Sequence, residues 1–141
     1  MRINDGIMQA AIEEAKKVTT FQFKVGAVVF NKGNIISVGR NYRERSSKRA
    51  NPIYQNWPTS LHAEHHAILK VNDICELKNK ELLVVRINNI NNSLCLAKPC
   101  SFCMKLVSAV GLKRIYYSID DNILGIIEKR NFNSSDIIIE R

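Results

Sequence analysis

The sequence predicts an α/β fold, and three observations carry that reading. Segments of helical and of strand periodicity alternate along the chain. The central strand candidate, residues 81–87, contains Leu82-Leu83-Val84-Val85 and so expects burial on both faces. The last two strand candidates are separated by too few residues for a crossover helix and must pair antiparallel.

Taken in order, residues 5–18 place Ile7, Met8, Ala11, Ile12 and Ala15 at helical spacing behind an Asn4 or Asp5 cap, which predicts a first helix. Residues 25–30 and 35–38 are β-rich apolar runs, joined by Asn31-Lys32-Gly33-Asn34 as a hairpin turn. Residues 41–60 read as a polar loop with two prolines and the basic residues Arg43, Arg45, Lys48 and Arg49. Thr59 or Ser60 is a candidate cap for a second helix over residues 61–71. After the third strand, residues 88–93 form an Asn-rich loop and residues 94–97 look extended. Pro99 suits the first turn of a third helix over residues 100–110. Residues 113–119 and 123–128 are strands four and five, and residues 136–140 are a short sixth strand or an ordered tail.

A chain of 141 residues with 45% apolar and 24% charged content fits a single domain, residues 1–141, with enough apolar material for a core. No apolar run approaches the roughly 20 residues of a membrane span. Residues 1–6 lack a basic-then-apolar signal, so the expected location is cytoplasmic with no membrane partner. The net charge of +8 points to phosphate-bearing partners, nucleotide or nucleic acid, with a generic basic surface as the equal alternative.

Of the four cysteines, Cys75, Cys95, Cys100 and Cys103, the last two form Cys-x-x-Cys directly after Pro99. In an intracellular chain that spacing points to metal or redox chemistry. Two thiolates three residues apart at a helix start can face one ion, and the helix N-terminus favours their negative charge. His62, opening the preceding helix, supplies a third ligand. One His and two Cys leave a tetrahedral zinc with an open position for water, the arrangement of a catalytic site. Glu64, two residues beyond His62, is placed to move protons without binding the metal. The competing reading is a structural zinc completed by Cys75 or Cys95, which leaves Glu64 without a task. His65 and His66 read as helix surface or packing residues, Cys75 and Cys95 as apolar fillers, and Phe102 as packing beside the metal. Trp57 is either a stacking residue at the cleft rim or loop packing.

His62-Ala63-Glu64 followed by Pro99-Cys100-Ser101-Phe102-Cys103 resembles the zinc signature of the cytidine and deoxycytidylate deaminase superfamily. Val25 to Val29 looks like that family's first strand, and Gly39-Arg40-Asn41 like its Gly-x-Asn, whose Asn contacts sugar and base. Pro58-Thr59 ahead of His62 is similar to tRNA adenosine deaminases. The resemblance implies a three-layer α/β/α sandwich with a mixed five-stranded sheet, a zinc ion and a homo-oligomeric assembly. It implies His62, Cys100 and Cys103 as ligands, Glu64 as the catalytic acid and base, and Asn41 as a substrate contact, with Ala63 between His62 and Glu64 a further candidate. Independently of the resemblance, Arg40, Arg43, Arg45, Lys48, Arg49 and Lys98 lie in loops leading to the zinc helices, and some of them are expected to approach a substrate phosphate. Many members carry Glu where this chain has Lys98, which makes the rim of the site more basic. The short connection at 120–122 resembles the branch with antiparallel last strands, that of free-nucleoside deaminases; deoxycytidylate and tRNA deaminases usually place a helix there. The expected function is hydrolytic deamination of a cytosine nucleoside or nucleotide, dCMP favoured. The alternatives are a cytosine or adenosine deaminase of single-stranded DNA or tRNA, and a catalytically silent zinc or nucleotide-binding module.

Overall fold

The computed structural model describes residues 3–19, 24–43, 60–128 and 137–140. Helix α1 (Asp5–Lys16) leads into strands β1 (Lys24–Asn31) and β2 (Asn34–Arg40), a two-residue bridge of β3 (Tyr42–Arg43) with β4 (Ser60–Leu61), and helix α2 (Ala63–Leu69). A 3-10 turn at Ile74–Leu77 precedes β5 (Glu81–Ile87), β6 (Leu94–Cys95), α3 (Ser101–Ala109), β7 (Arg114–Ser118), β8 (Ile123–Glu128) and β9 (Ile137–Glu140).

The sheet runs β2-β1-β5-β7-β8-β9, with β6 also on β5. It is mixed: β5 and β7 are parallel, whereas β1–β2, β1–β5, β7–β8 and β8–β9 are antiparallel. The antiparallel β7–β8 pair agrees with the short link between them. The expected five strands are short by two among the described residues, because β6 and β9 add their few residues to β5 and β8.

Alternation along β5 assigns the layers. Leu82 and Val84 join Ala63, Ala67, Ile68, Leu106 and Val107 in one core, so α2 and α3 share that face. Leu83, Val85 and Ile87 join Ile7, Met8, Ala11 and Ala15 of α1 in the other. The result is helix, sheet, helix, as the α/β/α expectation had it. α1 begins where Asn4 caps it, its side chain accepting the Gly6 N–H at 2.7 Å.

Two glycines set how closely the helices approach the hairpin. A Cβ on Gly26 would collide with the Ala11 carbonyl oxygen and, at 2.8 Å, the Ala15 nitrogen of α1. A Cβ on Gly39 would strike the backbone of Ala67 and, at 2.6 Å, the Ala63 carbonyl oxygen of α2. Backbone therefore rests on backbone on both faces. α2 is pinned further by Ser37 Oγ donating to Ala67 O at 2.7 Å and Lys70 Nζ donating to Val38 O at 3.0 Å.

Two helix starts differ from expectation. Ser60 and Leu61 are extended because they pair with Arg43 and Tyr42, so α2 starts at Ala63 with His62 in the extended cap position. Likewise Cys100 is the cap of α3, which places Pro99 just outside the helix.

Candidate functional site

The site is built where two helices begin beside the carboxyl ends of β5 and β7. His62 caps α2, and Glu64 lies in its first turn; Cys100 caps α3, and Cys103 lies one turn in. The approach to Cys100 is fastened by Ser118, fully buried at the end of β7. Its hydroxyl donates to the Cys95 carbonyl at 2.6 Å and accepts the Arg86 N–H at 3.1 Å; its own carbonyl takes the Ala97 N–H at 2.9 Å. Asp121 holds the same segment by accepting the Leu94 N–H at 2.7 Å.

These supports bring His62 Nδ1 to 3.4 Å from Cys103 Sγ and 3.7 Å from Cys100 Sγ. All three ligand atoms lie within 4.8 Å of one another. Zinc with ordinary bond lengths and tetrahedral angles separates a nitrogen and a sulfur ligand by about 3.6 Å, so the donor set fits zinc in spacing as well as in type. Cys75, exposed on the 3-10 turn, and Cys95, half-buried on β6, stand outside this group. Among the described residues the arrangement is thus three candidate ligands with an acid beside them.

The electrostatics also call for a cation. The Cys103 thiol is pushed far up by its hydrogen bond with Cys100, by burial and by the neighbouring Glu64. Burial pushes the Glu64 carboxyl above its ordinary range, against the pull of its own backbone N–H, Cys103 and His62. Two thiols and a carboxyl packed this tightly cannot all ionise unless a positive charge joins them.

The remaining expected contacts surround this centre. Asn41 accepts the Val25 N–H on Oδ1 at 2.9 Å, and its own N–H bonds the Val25 carbonyl at 3.3 Å, so the residue is locked to the start of β1. Ala63 is only 1% exposed and its methyl sits in the core, leaving the backbone N–H at the start of α2 as what it can offer a ligand. Arg43 pairs with Ser60, two residues before His62, and Lys98 is exposed directly before Pro99. Arg45, Lys48, Arg49, Trp57, Pro58 and Thr59 lie outside the described residues, as does the Phe102 side chain.

The sequence marks His65 and His66 as surface or packing residues, and His65 packs; what it does not show is the hydrogen bonds of His66 and Ser118 that hold the site. His65 is 2% exposed, and burial followed by the charges of His62 and His66 lowers its pKa to about 4, so it packs as a neutral ring. His66 Nδ1 accepts the Arg40 N–H at 3.0 Å, tying α2 to the end of β2. Ser118 had one visible signal, a small polar residue closing an apolar strand.

A His-Cys-Cys centre with an adjacent buried acid, seated at helix starts on a mixed sheet, defines a metal-dependent hydrolase of the α/β class. The chain matches the family model of the cytidine and deoxycytidylate deaminase zinc-binding region over residues 1–119, and it belongs to that family. Its fold is similar to dCMP deaminase from the cyanophage S-TIM5, at 23% identity over 82% of this chain and 81% of that one, with a TM-score of 0.59. It is similar also to cytidine deaminase from Burkholderia pseudomallei, at 16% identity over 91% and 94% of the two chains, TM-score 0.62. A diaminohydroxyphosphoribosylaminopyrimidine deaminase and reductase from Thermotoga maritima matches at 24% identity over 83% of this chain but 30% of that one, TM-score 0.51. A search of curated proteins found no match. Among the described residues, no helix is long and apolar enough to cross a membrane.

Proposed function

We propose that this chain hydrolyses the exocyclic amine of a cytosine nucleoside or nucleotide, with dCMP the favoured substrate. The observation that carries the reading is the His62, Cys100 and Cys103 cluster with Glu64 buried against it. His62, Cys100 and Cys103 would hold zinc, which when bound lowers the pKa of a coordinated water towards about 7. Glu64 relays the two protons of the attacking water in turn, one to the base ring nitrogen and one to the departing amine, so water and cytosine become uracil and ammonia. Asn41, whose carbonyl end is fixed by Val25, would contact the sugar and base. The Ala63 N–H is a further contact.

The net charge of +8 and exposed Lys98 beside Pro99 support a phosphorylated substrate. Arg43, in the strand that pairs with the lead-in to His62, would add to this recognition. The antiparallel β7–β8 pair supports a second reading, an uncharged nucleoside. Ammonia release from cytidine, deoxycytidine, dCMP, dCTP and a single-stranded oligonucleotide separates them. The proposal expects dCMP to have the highest kcat/KM; a preference for deoxycytidine favours the second reading. Turnover of none of them contradicts both.

A further inference from the structure

We propose that Glu14 is a positioning residue for this site, acting from the opposite face of the sheet through Arg40. This rests on the cytosine-deaminase reading above, since that reading gives Asn41 and α2 their tasks. Glu14 lies in the last turn of α1 and is 6% exposed, an acid on an otherwise apolar buried face. Its carboxylate accepts from Arg40 Nη1 at 3.2 Å and from Lys17 Nζ at 2.8 Å. Burial alone would raise its pKa, but Lys17 and Arg40 outweigh that and hold it below the ordinary range. The pair is therefore a charged contact in the folded chain.

Arg40 is the residue where three parts of the site meet. Its guanidinium is on Glu14 of α1, and its backbone N–H is on His66 Nδ1 of α2, one turn beyond His62. The next residue is Asn41, locked to Val25 of β1. An error in the seat of Arg40 reaches both the helix that carries His62 and Glu64 and the amide that meets the substrate. Arg40 faces α1 because it pairs with Gly26, whose Cα rests on that helix. The pairing with Glu14 therefore withdraws Arg40 from the basic residues available to a substrate phosphate. A misplacement of about 1 Å in such a scaffold is enough to cost catalysis heavily.

The test uses Glu14→Gln, Arg40→Met and their double variant, each checked for zinc content, with Arg40→Lys as rescue. Positioning predicts that each single variant raises KM for the cytosine substrate by about tenfold and lowers kcat by a comparable factor. The double variant should be no worse than either single, and Arg40→Lys should recover most of the loss. A readout independent of turnover is the Val25 amide, whose acceptor is the Asn41 side chain. Its hydrogen exchange should quicken by about tenfold in Glu14→Gln while the Val84 amide keeps its wild-type rate. Unchanged KM and unchanged Val25 exchange, with only a lower Tm, would overturn the proposal. If the wild-type chain turns over no cytosine substrate, the deaminase reading fails, and Val25 exchange alone then decides: faster exchange supports the coupling and an unchanged rate overturns it.

Discussion

The two ends of the sheet both bury ionisable groups, and they solve the problem in different ways. At the end where β5 and β7 begin, Glu81 and Glu128 are each 9% exposed, and the chain supplies its own cation. Arg114 donates to Glu81 Oε1 at 2.6 Å and lies 3.4 Å from Glu128 Oε1, while the Tyr116 hydroxyl adds a 3.4 Å bond to Glu81. At the other end Glu64, Cys100 and Cys103 converge, and the neighbour they share is His62, a ligand and not a fixed positive charge. Among the described residues, the first cluster has its own cation and the second has only His62; we expect the second to take its charge balance from zinc. A buried acidic group that lacks a protein cation is the better pointer to function.

The largest effect should fall at the metal end and on chemistry alone. Glu64→Gln keeps the three ligands and the shape of the acid, so zinc content should hold while kcat drops by about 10²–10⁴-fold. Steady-state ammonia release beside metal analysis reads this, and a near-normal rate would remove Glu64 from the mechanism. At the other end the effect should be on stability alone. Arg114→Met strands two buried carboxylates and should cost about 3 kcal/mol by urea unfolding, while kcat of the folded enzyme stays within about twofold. A large loss of kcat in the folded protein would break the division between the two ends.

How much of this was legible follows the same division. The clustering of His62, Cys100 and Cys103 could be anticipated because their spacing is short and their residue types are rare: His62 opens one helix, Glu64 follows two residues on, and Cys100 and Cys103 share one helical turn. The element order was legible because β5 is apolar on both faces and α1 has a clean helical period. Long-range polar contacts were not. Glu14 and Arg40, or Glu81 and Arg114, are brought together only by strand register and helix packing, and nothing near them in sequence marks the pairing. The start of α2 was misread because Ser60 looked like a helix cap, and its pairing with Arg43 overrode that local preference.

Smaller effects should track pH. The folded chain keeps His65 neutral down to about pH 4, whereas the unfolded chain takes up a proton below the ordinary 6.5, so stability falls as pH drops between those values. Replacing His65 with Leu should flatten the slope of unfolding free energy there by at most about 1.4 kcal/mol per pH unit. Glu14 works in the same direction further down: its depressed pKa gives stability that is present above the ordinary carboxylate range and lost as pH falls through the lowered value. Urea midpoints across this range, with Glu14→Gln for comparison, check both; a parallel profile in every variant would assign the pH dependence elsewhere.

The central claim is that one end of the sheet is a metal centre, and zinc content tests it most directly. Purified protein should carry one zinc per chain, Cys103→Ser should lose it together with activity, and Arg114→Met should retain it in full. Wild-type protein that binds no zinc after exposure to a stoichiometric excess, or Cys103→Ser that binds as much as wild type, would contradict the account.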